Sequence, residues 1–405
     1  MSIASPAAHA PVLPSAASAL AAARAYAAAI AGGAIERDRA GAVPWAELSA
    51  LDTSGLLSIT VPADHNGPDL SPVVLAEVIR TIAAVDPAIA QIPQAHFLFV
   101  DVLATMGDAA QRRRLFADIL AGARLGNGMA ERGGQHAQDL KTRLRRVPGG
   151  LRLDGRKYYC TGAVSARWIG VTALDDDGRL ALAFVERETA GVKVDEDWHV
   201  MGQRATVSGS AVFDDVPVDP VLVIPYHDAF ARPQQLGARS QLVHTAIQVG
   251  IAGGALRDAR EFVRTRARPF FEAARAGWAD TAGSDPHTIH RFGELATRVR
   301  AAEALLAAAA ATLAEVGRQP RDADAAARGS IAMAQAKAFA SETAGAVAGD
   351  LFALTGASAA DERYDLSRHW RNARTHASHD PVDWKYHHIG NYLLGDVPPP
   401  NHGQL

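Results

Sequence analysis

The side chains best suited to chemistry are concentrated near the end of the 405-residue chain. Six of its fifteen histidines fall between His369 and His402. Imidazole titrates close to neutral pH, so a histidine can give or take a proton. Arg371 and Arg374 stand in the same stretch, and guanidinium groups bind phosphate through paired hydrogen bonds. This composition is unusual for a solvated tail and predicts that the functional site includes these residues.

His379 is the main candidate for proton transfer within this stretch. Asp380 follows it and could orient the imidazole or balance its charge. A structural alternative exists for both, because a protonated histidine is favoured at a helix C-terminus and Pro381 cannot continue a helix. The neighbouring histidines also suggest a metal site. Because Pro381 separates them and no paired-cysteine or His-Glu-x-x-His spacing is present, we predict no metal.

The bulk composition limits the classes of protein to consider. A formal net charge of -3 creates no basic field, so we predict no nucleic-acid partner. The single cysteine, Cys160, excludes an intrachain disulfide and fits a reducing cytoplasm. No uncharged apolar run approaches the roughly 20 residues needed to span a bilayer, and the N-terminus lacks the pattern of a signal peptide. We therefore expect a cytoplasmic protein without a membrane segment, whose first dozen or so residues are disordered.

The elements that must position these residues predict an α+β fold in an unusual order. Residues 1–123 repeat apolar residues at helical spacing and predict an all-helical domain. Residues 124–237 are short alternating segments broken by glycine, which predicts a mostly antiparallel β domain with a hairpin turn at Asp154-Gly155. Residues 238–405 predict a four-helix bundle that carries the histidine-rich tail. The four long helices are expected at residues 242–267, 286–316, 323–354 and 364–378.

Several short motifs occur along these domains. In order along the chain they are residues 129–134 (MAERGG), 155–162 (GRKYYCTG), 262–266 (FVRTR) and 371–374 (RNAR). Together these motifs resemble the acyl-CoA dehydrogenase superfamily over residues 45–394. The resemblance implies that the first two are flavin-binding loops, that the third contains an arginine that holds cofactor phosphate, and that the fourth precedes the position of the catalytic base. The resemblance implies a helical domain, a middle β domain and a C-terminal bundle.

The chain departs from the dehydrogenases where their catalytic base stands. Asp380 occupies the position of the glutamate, and the family's Glu-Gly-Thr is absent. The loop around Gly356 lacks the paired glycines that help the adenine half of FAD to approach the backbone. Residues 372–376 and 378–382 instead resemble a narrower branch, which comprises the dibenzothiophene monooxygenase type and the sulfur-acquisition oxidoreductases.

That branch implies a flavin-dependent monooxygenase active in sulfur acquisition. It would use reduced FMN and O2 to oxidise an organosulfur compound through a flavin C4a-hydroperoxide. A separate NAD(P)H-dependent flavin reductase would supply reduced FMN, because no nicotinamide motif is present. The resemblance also implies a homotetramer in which a neighbouring subunit helps to build the cofactor site. FAD is the alternative cofactor.

The resemblance also implies roles for individual positions. The residues that would handle the proton or the flavin N5 are His96, His379, Asp380 and Thr161. The residues that would bind the cofactor are Asn127, Ala130, Tyr159, Thr161, Trp198, Ser208, Arg266 and His379. Structural alternatives stay open. His96 and Trp198 could be core residues, and Asn127 could be a turn residue. Thr161 could be satisfied by its own backbone.

The sequence leaves open which of Arg264, Arg266 and Arg268 meets phosphate, since any of them could belong to a solvated helix face. Two other functions compete with the monooxygenase. One is an FAD-dependent acyl-CoA dehydrogenase with Asp380 as the α-proton base, although this shorter carboxylate would have to reach as far as a glutamate. The other is a non-catalytic helical scaffold or a metal-binding protein that uses the histidine cluster.

Overall fold

The computed structural model describes residues 10–136 and 138–405. A helical unit, a β-sheet and a second helical unit follow one another along the chain, as the sequence predicts. Of the N-terminal segment predicted to be disordered, residues 1–9 lie outside the described part. Ala10, the first described residue, is buried against the protein.

The N-terminal unit is helical because its capping residues and its apolar spacing agree. Asp86 and Asp108 accept hydrogen bonds from the first backbone amides of the helices that follow them, and Pro87 stands in the first turn of one of these helices. In the described residues, the α-helices of this unit are α1 (Ala16–Ile30), α2 (Ala34–Ala40), α3 (Trp45–Asp52), α4 (Pro72–Ala83), α5 (Pro87–Gln91), α6 (Gln94–Met106) and α7 (Ala109–Leu120).

The middle unit is a single sheet. Its strands are β1 (Leu125–Gly128), β2 (Arg143–Val147), β3 (Gly150–Lys157), β4 (Trp168–Leu174), β5 (Leu180–Glu186), β6 (Val192–Val194), β7 (Ala211–Val218) and β8 (Val223–Ile224). They lie in the order β6-β7-β3-β2-β4-β5-β8, and β1 pairs in parallel with β4 beside this path. β2 and β4 also share one parallel residue pair, and the remaining five ladders are antiparallel. The prediction of a mostly antiparallel sheet is therefore confirmed.

The predicted hairpin turn at Asp154-Gly155 is wrong. β3 runs through both residues, and the turn of this hairpin lies between Val147 and Gly150. At Gly155 the register against β7 shifts, and its φ is 156°. A Cβ there would lie 2.3 Å from the Thr142 Oγ1 atom. The glycine therefore marks an irregularity inside a strand and a close approach of its neighbour, which a local turn signal cannot distinguish from a hairpin.

The four long helices predicted for the C-terminal unit are confirmed, but two further helices, at Phe271–Arg275 and Val382–Gly395, were missed. The α-helices of this unit within the described residues are α8 (Leu236–Thr265), α9 (Phe271–Arg275), α10 (Pro286–Val316), α11 (Ala323–Thr355), α12 (Ser367–Ala377) and α13 (Val382–Gly395). α12 ends at Ala377, before Pro381 is reached, and Pro381 is the N-cap of α13. Its φ of -67° suits the start of a helix, so the chain turns there and becomes helical again. His387 and His388 therefore lie on a helix and not on a tail.

Two cores hold the three units together. The larger core lies between the helical units, where Gly250 of α8 faces α4 so closely that a Cβ would lie 2.5 Å from the Ala83 Cβ. The second core lies between α6, α7 and one face of the sheet. There Phe99 meets Phe184 edge to face, with ring centroids 5.6 Å apart. α6 is thus packed against the sheet, and the helical units are packed against each other.

A buried ionic junction fixes α6 relative to the C-terminal unit. The Asp101 Oδ2 atom lies 2.7 Å from Arg239 Nε, and its Oδ1 atom lies 3.0 Å from Arg318 Nε. The side chains of Asp101 and Arg239 are each only 5% exposed. Arg318 also donates to the carbonyl oxygen of Thr60 over 2.7 Å. Because both arginines share one carboxylate, loss of that carboxylate leaves a buried cation without its partner.

His96, predicted to act at the flavin, lies in the core. It is fully buried on α6, and its Nε2 atom lies 2.8 Å from the Leu57 carbonyl oxygen. Its Nδ1 atom accepts a hydrogen bond from the backbone amide of Leu125 over 3.2 Å. Both ring nitrogens are therefore occupied by backbone groups, as in a core histidine. Burial lowers the pKa of His96 to about 4, which keeps the ring neutral.

Two helical stretches, Ala16–Ala40 and Pro87–Met106, have the length and apolar composition of a membrane span. Core helices of water-soluble folds share this character, and 78% of the second stretch is buried inside the protein. The two stretches are therefore weak evidence for a membrane segment.

We expect the Asp101→Asn substitution to lower the free energy of unfolding by about 3–5 kcal/mol, because it leaves the buried Arg239 guanidinium without a counter-charge. Chemical denaturation at neutral pH measures the change. Glu294→Gln is the matched control, since its exposed pair with Arg298 on α10 contributes less than about 1 kcal/mol. Equal effects of the two substitutions would contradict the role of the Asp101 junction.

The acid sensitivity of the fold should depend on His96. Its folded-state pKa of about 4 lies below the ordinary value of 6.5, so the neutral ring favours the folded state above pH 6.5 and this contribution is lost as the pH falls. Between pH 6.5 and 5, we expect the wild type to lose about 2 kcal/mol more unfolding free energy than His96→Gln, which cannot be protonated. Parallel loss in both proteins, measured by urea denaturation at each pH, would refute this assignment.

Candidate active site

A cleft of about 660 Å³ lies where the three units meet. α5, α6, β1, the loops after β1, β3 and β6, the end of α12 and the last residues of the chain form its walls. The predicted cofactor-binding positions that line it are Asn127, Ala130, Tyr159, Thr161, Trp198, Ser208 and His379. The structure therefore brings together positions that are spread over more than half of the sequence. His96 and Arg266 do not line this cleft.

Two aromatic side chains form one wall of the cleft. The rings of Tyr159 and Trp198 meet edge to face, with centroids 6.1 Å apart. Trp198 Nε1 donates to the Gln203 carbonyl oxygen over 2.9 Å, which holds the indole at the wall. The guanidinium of Arg132 lies 4.6 Å from the centroid of the Tyr159 ring. A flat ligand would find both apolar ring surface and a cation here.

Hydroxyl groups line the floor of the cleft. Thr161 Oγ1 lies 2.7 Å from Ser208 Oγ, and Ser208 Oγ lies 2.8 Å from Thr206 Oγ1. Thr206 donates in turn to the Gln203 carbonyl oxygen over 2.8 Å. The side chain of Thr161 is therefore engaged by Ser208 and not by its own backbone. All three hydroxyl residues are buried and line the cleft.

Asn127 uses its amide locally. Its Nδ2 atom donates to the Tyr159 carbonyl oxygen over 3.2 Å, and its Oδ1 atom accepts from the backbone amide of Met129 over 3.0 Å. These contacts join β1 to the loop after β3, as expected for a turn residue. Because Asn127 also lines the cleft, it ties together the two loops that the sequence singled out.

Glu131, a carboxylate at the cleft wall, is occupied by an ion pair. Its Oε1 atom lies 2.7 Å from Lys157 Nζ, and its Oε2 atom accepts from the backbone amide of Lys141 over 2.7 Å. Partial burial raises the pKa of Glu131, but the hydrogen bonds from Lys157, Thr142 and Lys141 outweigh it and keep the pKa below its usual value. Glu131 is therefore an ionised structural partner of Lys157.

Asp380 is removed from the cleft by two lysines. Its side chain is 4% exposed, and its Oδ2 atom lies 2.8 Å from Lys385 Nζ. Lys337 Nζ lies 3.5 Å from Oδ1, an ionic contact longer than a hydrogen bond. Burial raises the pKa of Asp380, but the hydrogen bond from His379 and the charges of both lysines outweigh it and hold the pKa well below its usual range. The carboxylate is therefore ionised.

The neighbouring imidazole has the opposite exposure. The side chain of His379 is 44% exposed and lines the cleft, and its Nδ1 atom lies 3.1 Å from Asp380 Oδ1. An ionised carboxylate can only accept, so Nδ1 carries the hydrogen of this bond. Nε2 makes no hydrogen bond to a residue that the structure describes. His379 is therefore a ring that is oriented at one nitrogen and free at the other.

A stack of imidazoles behind His379 was missed by the sequence analysis. The rings of His244 and His379 lie 4.0 Å apart between centroids, at an angle of 34°. His244 Nδ1 also lies 3.3 Å from His376 Nε2. Burial lowers the pKa values of His244 and His376 well below the usual range, so both rings are neutral. His244 lies on α8, far from the histidine-rich stretch, and nothing in its local sequence indicates this contact.

Glutamines complete the cleft, and they were also missed. Both amide atoms of Gln203 are buried without a hydrogen-bond partner in the described part of the chain, and the residue is only 3% exposed. Gln94 donates to Ser240 Oγ over 2.8 Å. Gln404 reaches the cleft because its carbonyl oxygen accepts a hydrogen bond from Lys385 Nζ over 2.6 Å. Gln203 precedes Arg204 in a segment already marked by Trp198, which was the one available signal.

The predicted phosphate-binding arginines lie elsewhere. Arg264, Arg266 and Arg268 are exposed at the end of α8 and beyond it, and the Arg266 guanidinium lies 5.0 Å from the centroid of the Tyr364 ring. The arginine that lines the cleft is Arg132. Among residues 10–136 and 138–405, no group of three or more histidine, cysteine, aspartate or glutamate side chains is arranged to hold a metal ion.

Comparison with known proteins identifies relatives along nearly the whole chain. Residues 16–123, 128–216 and 242–384 match the N-terminal, middle and C-terminal domains of acyl-CoA dehydrogenase. The chain is 32% identical to dibenzothiophene monooxygenase of Rhodococcus erythropolis over 388 residues, which cover 91% of each chain. It is also 32% identical to the probable FMNH2-dependent monooxygenase SfnC of Pseudomonas putida, over 94% of this chain and 96% of that protein.

The fold is similar to that of a solved relative. The structure of TdsC from Paenibacillus sp. A11-2 in complex with FMN and indole superposes with a TM-score of 0.91 at 29% sequence identity, over 96% of this chain and 99% of that chain. The three domain matches follow the same order as the three units described above. The predicted fold class and the predicted resemblance are therefore confirmed, and the chain belongs to the acyl-CoA dehydrogenase family.

Proposed function

We propose that this protein is a flavin-dependent monooxygenase that uses reduced FMN and O2 to oxidise an organosulfur compound in sulfur acquisition. Relatives with about the same length carry the names dibenzothiophene monooxygenase and probable FMNH2-dependent monooxygenase. A related solved structure holds FMN. These likenesses support an oxygenase within the family over a dehydrogenase.

The observation that carries the proposal is the missing carboxylate base. A dehydrogenase needs a free carboxylate at the cleft to remove an α-proton, but Asp380 is buried between Lys337 and Lys385 and does not line the cleft. Glu131 lines it but is bound to Lys157. An imidazole, His379, stands at the cleft instead. The site therefore offers an imidazole that could exchange a proton with a bound reduced flavin, and it lacks the free carboxylate that would remove a proton from carbon.

The cleft has the size and chemistry that FMN requires. Its volume of about 660 Å³ lies within the range of roughly 300–1,000 Å³ that is typical of cofactor sites. Trp198 and Tyr159 offer ring surface to an isoalloxazine, and the unpartnered amide of Gln203 offers both a donor and an acceptor. Arg132 supplies the positive charge that a phosphate would need. Asn127 and Ala130 would complete the contacts, and Ser208 would contribute to cofactor binding by holding the Thr161 hydroxyl in place.

When bound, reduced FMN supplies two electrons and two protons, so that one oxygen atom of O2 is added to sulfur and the other leaves as water. Thr161 would accept a hydrogen bond from flavin N5. His379 would hold or release a proton at Nε2, while Asp380 keeps Nδ1 protonated and the ring in one orientation. The buried, neutral rings of His244 and His376 limit the access of water to this imidazole from behind.

The partners follow from this chemistry. A separate NAD(P)H-dependent reductase would supply reduced FMN in the cytoplasm. We also propose a homotetramer, in which the exposed Arg266 would reach the cofactor phosphate of a neighbouring subunit. The aromatic residues Phe270, Phe271 and Trp278, which are 58–67% exposed just beyond α8, are compatible with a subunit contact near that arginine. A folded and active monomer in light scattering would refute the shared site.

The proposed function can be tested by loading the protein with chemically reduced FMN under anaerobic conditions and adding oxygenated buffer with ¹⁸O2. We expect one labelled oxygen atom per turnover in the product from dibenzothiophene or from an alkyl sulfide or sulfinate. Tight binding of FAD together with acyl-CoA-dependent bleaching in the absence of oxygen would instead identify a dehydrogenase. Stronger stabilisation by Zn²⁺ than by FMN would favour the metal-binding alternative.

Substitution of His379 should separate oxygenation from cofactor binding. We expect His379→Asn to reduce product formation by about 100-fold, because the amide cannot exchange a proton, and to release hydrogen peroxide instead. Affinity for reduced FMN should change by less than about threefold in the anaerobic titration, since the ring lies at one wall of a large cleft.

His387→Asn provides the matched control for this substitution. His387 is exposed on α13, bonds only to Asn391 among the described residues and does not line the cleft. We expect its variant to keep both product yield and peroxide release at the wild-type level. Equal losses in the two variants would remove His379 from the proposed mechanism.

A further inference from the structure

Three buried hydroxyl groups in the cleft form a linear chain of hydrogen bonds. Thr161, Ser208 and Thr206 are 7%, 5% and 1% exposed, and successive oxygen atoms lie 2.7 and 2.8 Å apart. The chain ends at the Gln203 carbonyl oxygen, 2.8 Å from Thr206 Oγ1. Each hydroxyl group carries one hydrogen and can donate one hydrogen bond. Three hydrogens are therefore available for three contacts.

The carbonyl at the end of the chain determines its direction. A carbonyl oxygen has no hydrogen, so the contact of 2.8 Å with Gln203 requires that Thr206 donate its own. Ser208 must then donate to Thr206, because Thr206 has no second hydrogen. By the same reasoning, Thr161 donates to Ser208. The hydroxyl of Thr161 is left with lone pairs only.

The backbone amide and carbonyl of Thr161 are also hydrogen-bonded within the protein. Its backbone amide donates to the Tyr159 carbonyl oxygen over 2.8 Å, and its own carbonyl accepts from the Asn127 amide over 3.1 Å. What Thr161 offers to a ligand in the cleft is therefore a hydrogen-bond acceptor and no donor. A ligand atom that carries a hydrogen matches this acceptor, whereas an atom with a lone pair is repelled by it.

The backbone around the chain is held in a form that keeps the hydroxyls in place. Gln203 and Val207 have φ values of 54° and 46°, in the left-handed region that is unfavourable for a β-branched residue such as valine. Such a conformation persists only when its surroundings fix it. Here the backbone amide of Gln203 donates to Asn372 Oδ1 of α12, and its backbone carbonyl oxygen accepts from Trp198 Nε1. The segment from Gln203 to Ser208 therefore presents the hydroxyls of Thr206 and Ser208 in one arrangement.

We propose that this hydroxyl chain makes the site selective for reduced over oxidised FMN. The inference rests on the proposed function, in which Thr161 meets flavin N5. In reduced FMN N5 carries a hydrogen and can donate to Thr161, whereas in oxidised FMN N5 has a lone pair and cannot. Ser208 and Thr206 are positioning residues, because they act by committing the hydrogen of Thr161 and not by touching N5. A site that releases oxidised FMN after each turnover can then take up another reduced molecule.

The test compares the dissociation constants of oxidised FMN and of anaerobically reduced FMN, whose ratio also appears as a shift in the midpoint potential of bound FMN. In Ser208→Ala the hydrogen of Thr161 loses its acceptor and can point into the cleft. We expect oxidised FMN to bind about tenfold more tightly, while the affinity for reduced FMN changes by less than about threefold. Thr206→Val removes the donor at the end of the chain. Like Ser208→Ala, it should lower the ratio of the dissociation constant of oxidised FMN to that of reduced FMN.

Substitutions of Thr161 itself distinguish loss of the hydroxyl acceptor from a general disturbance of the fold. Thr161→Val should weaken reduced FMN by about tenfold and leave oxidised FMN nearly unchanged, whereas Thr161→Ser should keep the wild-type ratio. Ser378→Ala is the matched control, since Ser378 lines the cleft but donates to the Arg374 carbonyl oxygen of its own helix. Its ratio should equal that of the wild type.

An unchanged ratio in Ser208→Ala, or equal weakening of both redox forms, would overturn the hydroxyl chain as the selective device. If the wild type binds neither form of FMN, the proposed function fails and the inference fails with it. The two failures are distinguishable, because the first requires a wild-type protein that binds FMN with a measurable preference.

Discussion

The ionised carboxylate of Asp380 is the interaction on which the site depends. Lys337 of α11 and Lys385 of α13 surround it in a space from which water is excluded, so the cost of burying the charge is offset only while both lysines are present. This arrangement removes the acid from the cleft. It also obliges His379 to carry its hydrogen on Nδ1 and leaves Nε2 as the free nitrogen of a ring that lines the cleft. In the proposed function, the imidazole of His379 therefore exchanges the proton at the cleft in place of a carboxylate.

A second group in the cleft is also fixed in its hydrogen-bonding role by a neighbour. There a carbonyl oxygen, that of Gln203, determines how three hydroxyls donate and leaves Thr161 as an acceptor. In both places a group behind the cleft surface determines whether the side chain that lines the cleft can donate or accept a hydrogen bond. The fold of the family supplies the cleft, and these two chains supply its chemistry. The neutral rings of His244 and His376 add bulk without adding charge.

Much of the fold could be predicted, because long helices have strong local signals. α10 and α11 begin after capping aspartates and contain no proline after the first turn, so their bounds agree with the expected ones to within a residue. The hairpin expected at Asp154-Gly155 failed because a glycine that admits a neighbouring side chain looks the same in sequence as one in a turn. The surroundings of His96 could not be predicted for a related reason, since both a core histidine and a cofactor-facing one occur among apolar residues. The positions that line the cleft were predicted from the order of the motifs along the chain, which can be recognised in one sequence.

The sequence by itself determined the order of the three units and the loops that meet at the cleft, and it predicted that the His379-Asp380 pair stands in place of the family's glutamate. These follow from local patterns and from motif order. Only the tertiary structure decided which side chain meets the cleft, which one withdraws from it and in which direction each hydrogen bond runs. The physical reason is that protonation and hydrogen-bond direction depend on groups from different elements, such as Lys337 beside Asp380 and Ser208 beside Thr161. Their distances exist only once the chain is folded.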